Sequence, residues 1–281
     1  MIPVEFDYKA PDTLDEAVRM LHENGGEAKL LAGGHSLIPL MKLRLAVPAL
    51  LVDLRKVPGL HHIQRENGSW RIGAMTPHSE IEGTPELGLV SRVAGTIADR
   101  QVRNRGTIGG SLAHGDPASD LPAVLLIGEG SVTLQGSGGQ RTVAATDLFR
   151  DYMETAIAQD EVLTEVRIPA FDGWGFGYQK FNRRSEDWAM VAVSALVKQT
   201  GDICEDARIG LTNMGSVPLR ARAVEDALRG QPLTGEAIAA AAKQAAEGTD
   251  PPADLNASAD YKRHLARVLC KRALEQAAGL A

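Results

Sequence analysis

A chain of 281 residues, 44% hydrophobic and 23% charged, has the make-up of a globular protein of about two domains and not of a disordered one. Its formal charge of −6 argues against a nucleic-acid or anionic-membrane binder, and no run approaches the ~20 apolar residues that span a bilayer. Two cysteines, Cys204 and Cys270, build neither a disulfide framework nor a metal cluster alone, and fit a reducing, cytoplasmic compartment.

Phe6 and Tyr8 share one side of a short extended piece, and Pro11-Asp12 turns the chain. Thr13 and Glu16 form a capping box ahead of a helix striped by Leu14, Ala17, Val18 and Leu21, which Gly25-Gly26 stops. Ala28 to Ala32 reads as a buried strand emptying into Gly33-Gly34-His35-Ser36. A helical piece from about Leu37 to Leu43, interrupted by Pro39, leads past Pro48 to the strand Leu50-Leu51-Val52 and Asp53. From Gly59 to Pro169 the texture changes. His61 to Gln64 and Trp70 to Gly73 frame a hairpin turn at Glu66-Asn67-Gly68, and a helix is expected around Glu86 to Ala98. Ser131 to Leu134 and Arg141 to Ala144 form another strand pair, and Val162 to Ile168 a further strand. Beyond them Gly175 to Phe181, Met190 to Lys198 and Ala207 to Thr212 read as strands. Pro218 to Leu228, Glu236 to Glu247 and Ala259 to Ala277 read as helices.

The sequence spends 29 glycines beside only 3 Trp, 4 Tyr and 5 Phe. Two glycine-rich segments each follow an apolar run: Ala32 to Ser36, and Thr107-Ile108-Gly109-Gly110-Ser111. Glycine lets backbone N–H groups converge at little steric cost, and such concavities hold phosphate oxygens. Ser36, Thr107 and Ser111 add hydroxyls. Neither segment is a Walker A loop or a GxGxxG fingerprint. One such segment alone reads as a turn; two of the same texture point as readily to a phosphate-bearing ligand. Asp116 to Pro122 reads as a turn with Ser119 or Asp120 capping a short helix, and Asp120 is also placed to accept from ligand hydroxyls. The 7 histidines show no metal spacing, there is no GxSxG or CxxC, and Cys204 falls in a polar turn. Cradling loops without a catalytic team suit a protein whose chemistry arrives with a cofactor. No catalytic residue or metal ligand is assigned.

These segments and their flanks resemble the FAD-binding medium subunit of the molybdenum hydroxylases, above all that of aerobic carbon monoxide dehydrogenase. The resemblance runs nearly end to end. It takes in Met1-Ile2-Pro3 with Phe6-Asp7-Tyr8, Leu31 to Pro39, Met41-Lys42, Arg44-Leu45, Leu51 to Leu54 and Ile72 to Thr76. It continues through Gly106 to Gly110 with Asp116 to Pro122, Ile209 to Asn213, and Tyr261-Lys262-Arg263. The resemblance implies an α+β chain: a two-subdomain FAD-binding domain of the vanillyl-alcohol-oxidase type over 1–170, divided near 55, and a small C-terminal α+β domain over 171–281. It places Lys29, Leu30, Leu31, Ala32, Gly33, Gly34, His35 and Ser36 around the FAD pyrophosphate, with Thr107, Ile108, Gly109, Gly110 and Ser111. Asp120 would meet the ribityl chain, Val162, Leu163 and Lys180 would lie near the isoalloxazine, and Ile97, Ala98 and His114 belong to the same site. Trp188, within Glu186-Asp187-Trp188-Ala189, stands where the carbon monoxide dehydrogenase subunit has a flavin-stacking Tyr; stacking and plain core are both open for it. Ser111 and His114 depart from the Asn or Asp of other members and keep hydrogen bonding.

What the resemblance implies is an electron-transfer subunit. Substrate would be oxidised at a molybdopterin cofactor in a large subunit. Electrons would cross two 2Fe–2S clusters in a small iron-sulfur subunit, reach FAD here, and leave to an external acceptor such as a quinone. The assembly would be a cytoplasmic dimer of heterotrimers, able to sit on the inner face of the membrane. The absence of iron–sulfur cysteine spacing in this chain agrees. Carbon monoxide is the first expectation for the holoenzyme substrate, with N-heterocycles, aldehydes and purines as alternatives. The rival readings are a stand-alone FAD oxidoreductase of the same fold and a non-enzymatic module for a phosphorylated ligand.

Overall fold

In the computed structural model, which describes residues 1–280, β1 spans Asp7–Lys9 and α1 Leu14–Asn24. α1 begins where Thr13 accepts from the Glu16 N–H at 3.2 Å, while Glu16 accepts from the Asp12 N–H at 3.2 Å. β2 (Ala28–Leu31), α2 (Leu37–Lys42) and β3 (Leu50–Asp53) complete a parallel sheet ordered β1-β3-β2. Parallel strands require crossovers, so α1 and α2 are the connections, and the turn after β2 emerges at the carboxyl edge of the sheet. Leu50, Val52 and Ala28 face α1, while Leu51 and Leu31 face α2. Pro39 does not interrupt α2 as expected. It is the third helical residue, where the missing N–H is one a helix leaves unbonded anyway.

The middle of the chain builds an antiparallel sheet with helices on one side. β4 (Ile63–Glu66) and β5 (Ser69–Gly73) turn at Asn67-Gly68, with φ of 50° and 72°, the backbone a two-residue hairpin demands. The single helix expected around Glu86 to Ala98 is broken. α3 (His78–Glu82) comes first, and α4 (Leu89–Ala94) begins only after Gly88, whose φ of +57° leaves the helical region. α5 (Arg100–Arg103) leads to α6 (Ile108–His114), so the second glycine segment is the start of a helix capped by Thr107 and not an open loop. α7 (Asp120–Ile127) is buried along its whole length. Then come β6 (Ser131–Gly136), β7 (Gly139–Ala144), α8 (Ala145–Leu148), β8 (Phe149–Asp151), β9 (Glu154–Thr155) and β10 (Val162–Pro169). The sheet order is β4-β5-β10-β6-β7, and Ile72, Leu134 and Val166 share a core with α4, α6 and α7.

β11 (Gly175–Phe181), β12 (Val191–Thr200), β13 (Ile203–Thr212) and β14 (Leu219–Arg220) form an antiparallel sheet in chain order, followed by α9 (Arg222–Leu228), α10 (Gly235–Ala242) and α11 (Ala259–Ala277). One face takes α11 so closely that a Cβ on Gly177 would lie 2.0 Å from the Ala273 carbonyl oxygen. The other takes α7, with Gly210 against the Ala123 carbonyl. Three expectations change here. Pro218 to Leu228 divides into β14 and α9, and the helix from Glu236 ends at Ala242, not at Glu247. Cys204 is buried inside β13, not set in a polar turn, because strand alternation turns it inward between exposed neighbours. Burial pushes its thiol pKa up, and that of Cys270 to about 12. No helix among the described residues is long and apolar enough to cross a membrane. Among them no group of three or more His, Cys, Asp or Glu could hold a metal ion.

Candidate cofactor site

The two glycine segments, far apart in sequence, meet in space. A Cβ on Gly33 would lie 2.3 Å from the Arg105 carbonyl oxygen and 2.7 Å from Gly106 Cα, and one on Gly110 would lie 3.8 Å from the Ala32 Cβ. Only glycine at 33 lets the backbones approach this far. Gly34 turns the first segment with φ of +79°. The N–H groups of Gly33, Gly34, His35 and Ser36 donate to nothing among the described residues. The second segment differs. Ile108 N–H donates to Thr76 O at 3.2 Å, Gly109 N–H to Ala74 O at 2.9 Å, and Gly110 N–H to the Thr107 hydroxyl at 3.1 Å. The first segment therefore supplies free donors, and the second supplies the wall against which they are held. Gly109 packs on Ala74 and its absent side chain serves that contact, not an open cradle.

His78, a residue that sequence reasoning left unassigned, holds this wall. Its N–H donates to the Gly106 carbonyl at 2.9 Å, and its ring lies where a Cβ on Gly106 would be 2.9 Å from Cδ2. Burial first, and the Arg103 charge second, lower its pKa to about 4, and its Nδ1 is buried with no partner. Arg103 also ties the wall to the neighbouring turn, donating to the carbonyls of Ile97 at 2.9 Å and Ala98 at 3.1 Å. Ala98 has φ of +44° there.

A second cluster gathers Asp120, Lys180 and that turn. Asp120 opens α7 and is buried; it accepts from Lys180 Nζ at 2.9 Å and from the Tyr178 hydroxyl at 2.6 Å. Lys180 Nζ donates also to the Thr96 carbonyl at 3.3 Å. Burial pushes the Asp120 carboxyl upward, opposed by the Lys180 charge and by both donors, and burial beside Asp120 raises the Tyr178 phenol well above its usual range. Tyr178 and Lys180 sit two apart on β11 and so share a face, which is the alternation signal that could have found Tyr178. Asn213 completes the arrangement. Its N–H donates to the Pro117 carbonyl at 2.9 Å, and its side chain donates to the carbonyls of Ala189 at 2.9 Å and Met190 at 3.1 Å. The residue after Trp188 is thereby fastened to the segment that leads into Asp120.

Trp188 itself is 55% exposed, which removes the plain-core reading. Several expected residues turn away from any ligand. Leu31, Ile108, Val162 and Leu163 bury their side chains in apolar clusters, so only their backbone can face a cofactor. Leu30 and Ser111 are half-buried, His114 is half-buried at the end of α6, and Lys29 and His35 are exposed.

Four consecutive unpaired N–H groups beside a close-packed glycine wall fit the phosphates of a dinucleotide. The chain accordingly belongs to the FAD-binding subunits of the molybdopterin dehydrogenases: residues 4–171 match the family described as the FAD binding domain in molybdopterin dehydrogenase. Residues 176–277 match the CO dehydrogenase flavoprotein C-terminal domain. Within that family it is a medium-chain flavoprotein subunit of the carbon monoxide dehydrogenase type. It is 42% identical to the carbon monoxide dehydrogenase medium chain of Hydrogenophaga pseudoflava, over 99% of this chain and 98% of that one. It is 37% identical to the 6-hydroxypseudooxynicotine dehydrogenase complex subunit alpha of Paenarthrobacter nicotinovorans, over 99% of this chain and 96% of that one. Among solved structures, a carbon monoxide dehydrogenase from Hydrogenophaga pseudoflava lacking the Mo-pyranopterin moiety of its molybdenum cofactor superposes with a TM-score of 0.97 at 43% identity, covering 100% of both chains.

Proposed function

We propose that this chain carries electrons between the iron–sulfur subunit of a molybdenum hydroxylase and an external acceptor, and that the complex oxidises carbon monoxide. The observation that carries the reading is the run of unpaired N–H groups at Gly33 to Ser36, held against the wall built by Arg105 to Gly110. Bound FAD would supply the redox chemistry, taking electrons singly from 2Fe–2S clusters and passing on a pair. The protein's own part is to bind and orient. The N–H groups of Gly33 to Ser36 hold the pyrophosphate, with Lys29 to Leu31 and Thr107 to Ser111 shaping the cradle. Asp120, charge-balanced by Lys180 and pinned by Tyr178, accepts from the ribityl hydroxyls. Ile97, Ala98, His114, Lys180 and the backbone of Val162 and Leu163 surround the rest, and Trp188 covers the isoalloxazine. Residues 1–170 act as the FAD-binding domain, in subdomains of about 1–55 and 56–170, and 171–281 as the C-terminal domain; the separate sheets support this division. Substrate oxidation belongs to a large molybdopterin subunit, in a dimer of heterotrimers.

A second reading of the substrate, an N-heterocycle, is favoured by the relative named for 6-hydroxypseudooxynicotine at 37% identity. Purifying the complex from its source and assaying dye reduction with carbon monoxide and with N-heterocycles separates the two. The isolated chain should be yellow, hold one FAD, and oxidise neither substrate when molybdenum is absent. A colourless chain, or turnover by the isolated chain, would overturn the reading.

A further inference from the structure

The amino-terminal sheet is covered unequally. Its α1 face seals Ala17, Val18, Leu21, Leu50 and Val52 in a common core, whereas its α2 face buries only Leu31, Met41 and Leu51. α2 has 6 residues, too short to roof three strands. Tyr8 pairs with Leu51 and so shares the α2 face, where its hydroxyl donates to Asp53 at 2.8 Å and Arg55 lies over its ring, while Val4 and Phe6 belong to the segment that leads into β1. Asp7 donates to the Ala49 carbonyl at 2.8 Å and pairs with Leu50. The segments entering β1 and β3 therefore meet at Asp7 and Ala49, with Val4 and Phe6 on one and Val47 on the other. Leu43 and Leu45 lie in the turn that follows α2, where the Leu45 N–H donates to the Leu40 carbonyl at 2.9 Å. Val4, Phe6, Tyr8, Leu43, Leu45 and Val47 are all open to solvent, between 36% and 73% exposed.

So many large apolar side chains left in water about one sheet face mark a surface meant to be covered. These six side chains leave on the order of 600 Å² uncovered, at the top of the ~300–600 Å² of a monomer's largest patch and most of the ~800 Å² that one side of a standard interface buries. Lys42 and Arg44 edge it, and neither has an ion-pair partner among the described residues. A second copy docking by two-fold symmetry would bring the same cations against themselves.

We infer that this face is the seat of a different protein chain, one that presents an apolar surface edged with carboxylates. The inference rests on the heteromeric reading above and assigns where on this chain a partner subunit sits. The test uses the full chain alone and the complex formed with its co-expressed partner subunits. Leu45→Asp, and Leu45→Asp with Val4→Asp, should leave FAD content and Tm of the isolated chain unchanged, because both positions are already wet. They should weaken assembly at least tenfold and a hundredfold. Lys42→Glu, a change confined to solvent, should weaken it several-fold in a salt-dependent way, so the test stands even where an apolar variant misfolds. Amide exchange over 1–9 and 37–47 should slow on assembly. Wild-type assembly by all three variants without such protection overturns the inference. So does an isolated chain that dimerises until Leu45→Asp is introduced, or that binds phosphatidylserine–phosphatidylcholine vesicles through this face while assembly is untouched. A chain that joins no partner at all overturns the heteromeric reading itself, and this inference with it.

Discussion

Lowering the pH from about 7.5 to about 5 should cost the folded chain about 2 kcal/mol through one side chain, His78. In the unfolded chain this imidazole titrates at its ordinary 6.5, and in the fold at about 4, because burial and the Arg103 charge disfavour the imidazolium. Above 6.5 both states are neutral and the group contributes nothing to the pH dependence. Between 6.5 and 4 the unfolded chain binds a proton that the folded chain refuses, so stability falls as the pH falls. At about pH 5 the unfolded imidazole is almost wholly protonated and the folded one mostly neutral, which gives the figure of about 2 kcal/mol. Carboxylates of ordinary value near 4 add little in this window, and Asp120, whose carboxyl burial pushes upward, acts in the opposite sense, so the His78 part is read as the difference between wild type and His78→Leu. The assay is urea unfolding of FAD-free protein across the range, read as free energy at constant slope. His78→Leu keeps the volume and removes a buried nitrogen that has no partner, so it should cost less than about 1 kcal/mol at pH 7.5 and abolish the His78 part of the slope. An equal pH slope in His78→Leu and wild type would refute the argument. In the native chain the imidazolium would form against Gly106 only near pH 4, so loss of FAD through this group should centre there, below the window in which stability falls.

Other variants test the remaining contacts. Gly33→Val would drive a side chain into the Arg105 carbonyl, prise the two glycine segments apart and weaken FAD binding by roughly tenfold or more, with the apo fold retained by far-UV circular dichroism; full FAD occupancy would contradict this. Tyr178→Phe removes a donor 2.6 Å from a buried carboxylate and should cost about 2 kcal/mol, seen as a fall of roughly 5 °C in Tm. An unchanged Tm would mean that the bond is replaced without loss. FAD should quench the emission of Trp188, and Trp188→Ala should loosen FAD by about 0.5–1.5 kcal/mol while Trp188→Phe loses less. Because the indole is exposed, neither change should lower the Tm of the apo chain; a lowered apo Tm with unchanged FAD affinity would return Trp188 to a packing role.

Much of this architecture was legible in the residues. Thr13 and Glu16, Asn67-Gly68, and the alternation in Gly175 to Phe181 each set a local structure by short-range chemistry, and the structure follows them. The two glycine segments stood out for the same reason, since only permissive backbone explains such runs. Their inequality did not show in sequence. Whether an N–H is free depends on which carbonyl another strand brings to it, and Thr76 and Ala74 reach Ile108 and Gly109 only in the folded chain. Gly88 and Pro39 misled in opposite directions: one left-handed φ broke an otherwise good helix, and a proline in the first turn did no harm. Tyr178, Asn213 and His78 stayed hidden because their roles are relations between distant segments, a phenol to a carboxylate, an amide to two carbonyls, a ring to a glycine. Local sequence determines what a backbone can adopt at a point. Which donors are left unspent, and which apolar faces are left uncovered, is decided only when every segment has taken its partner.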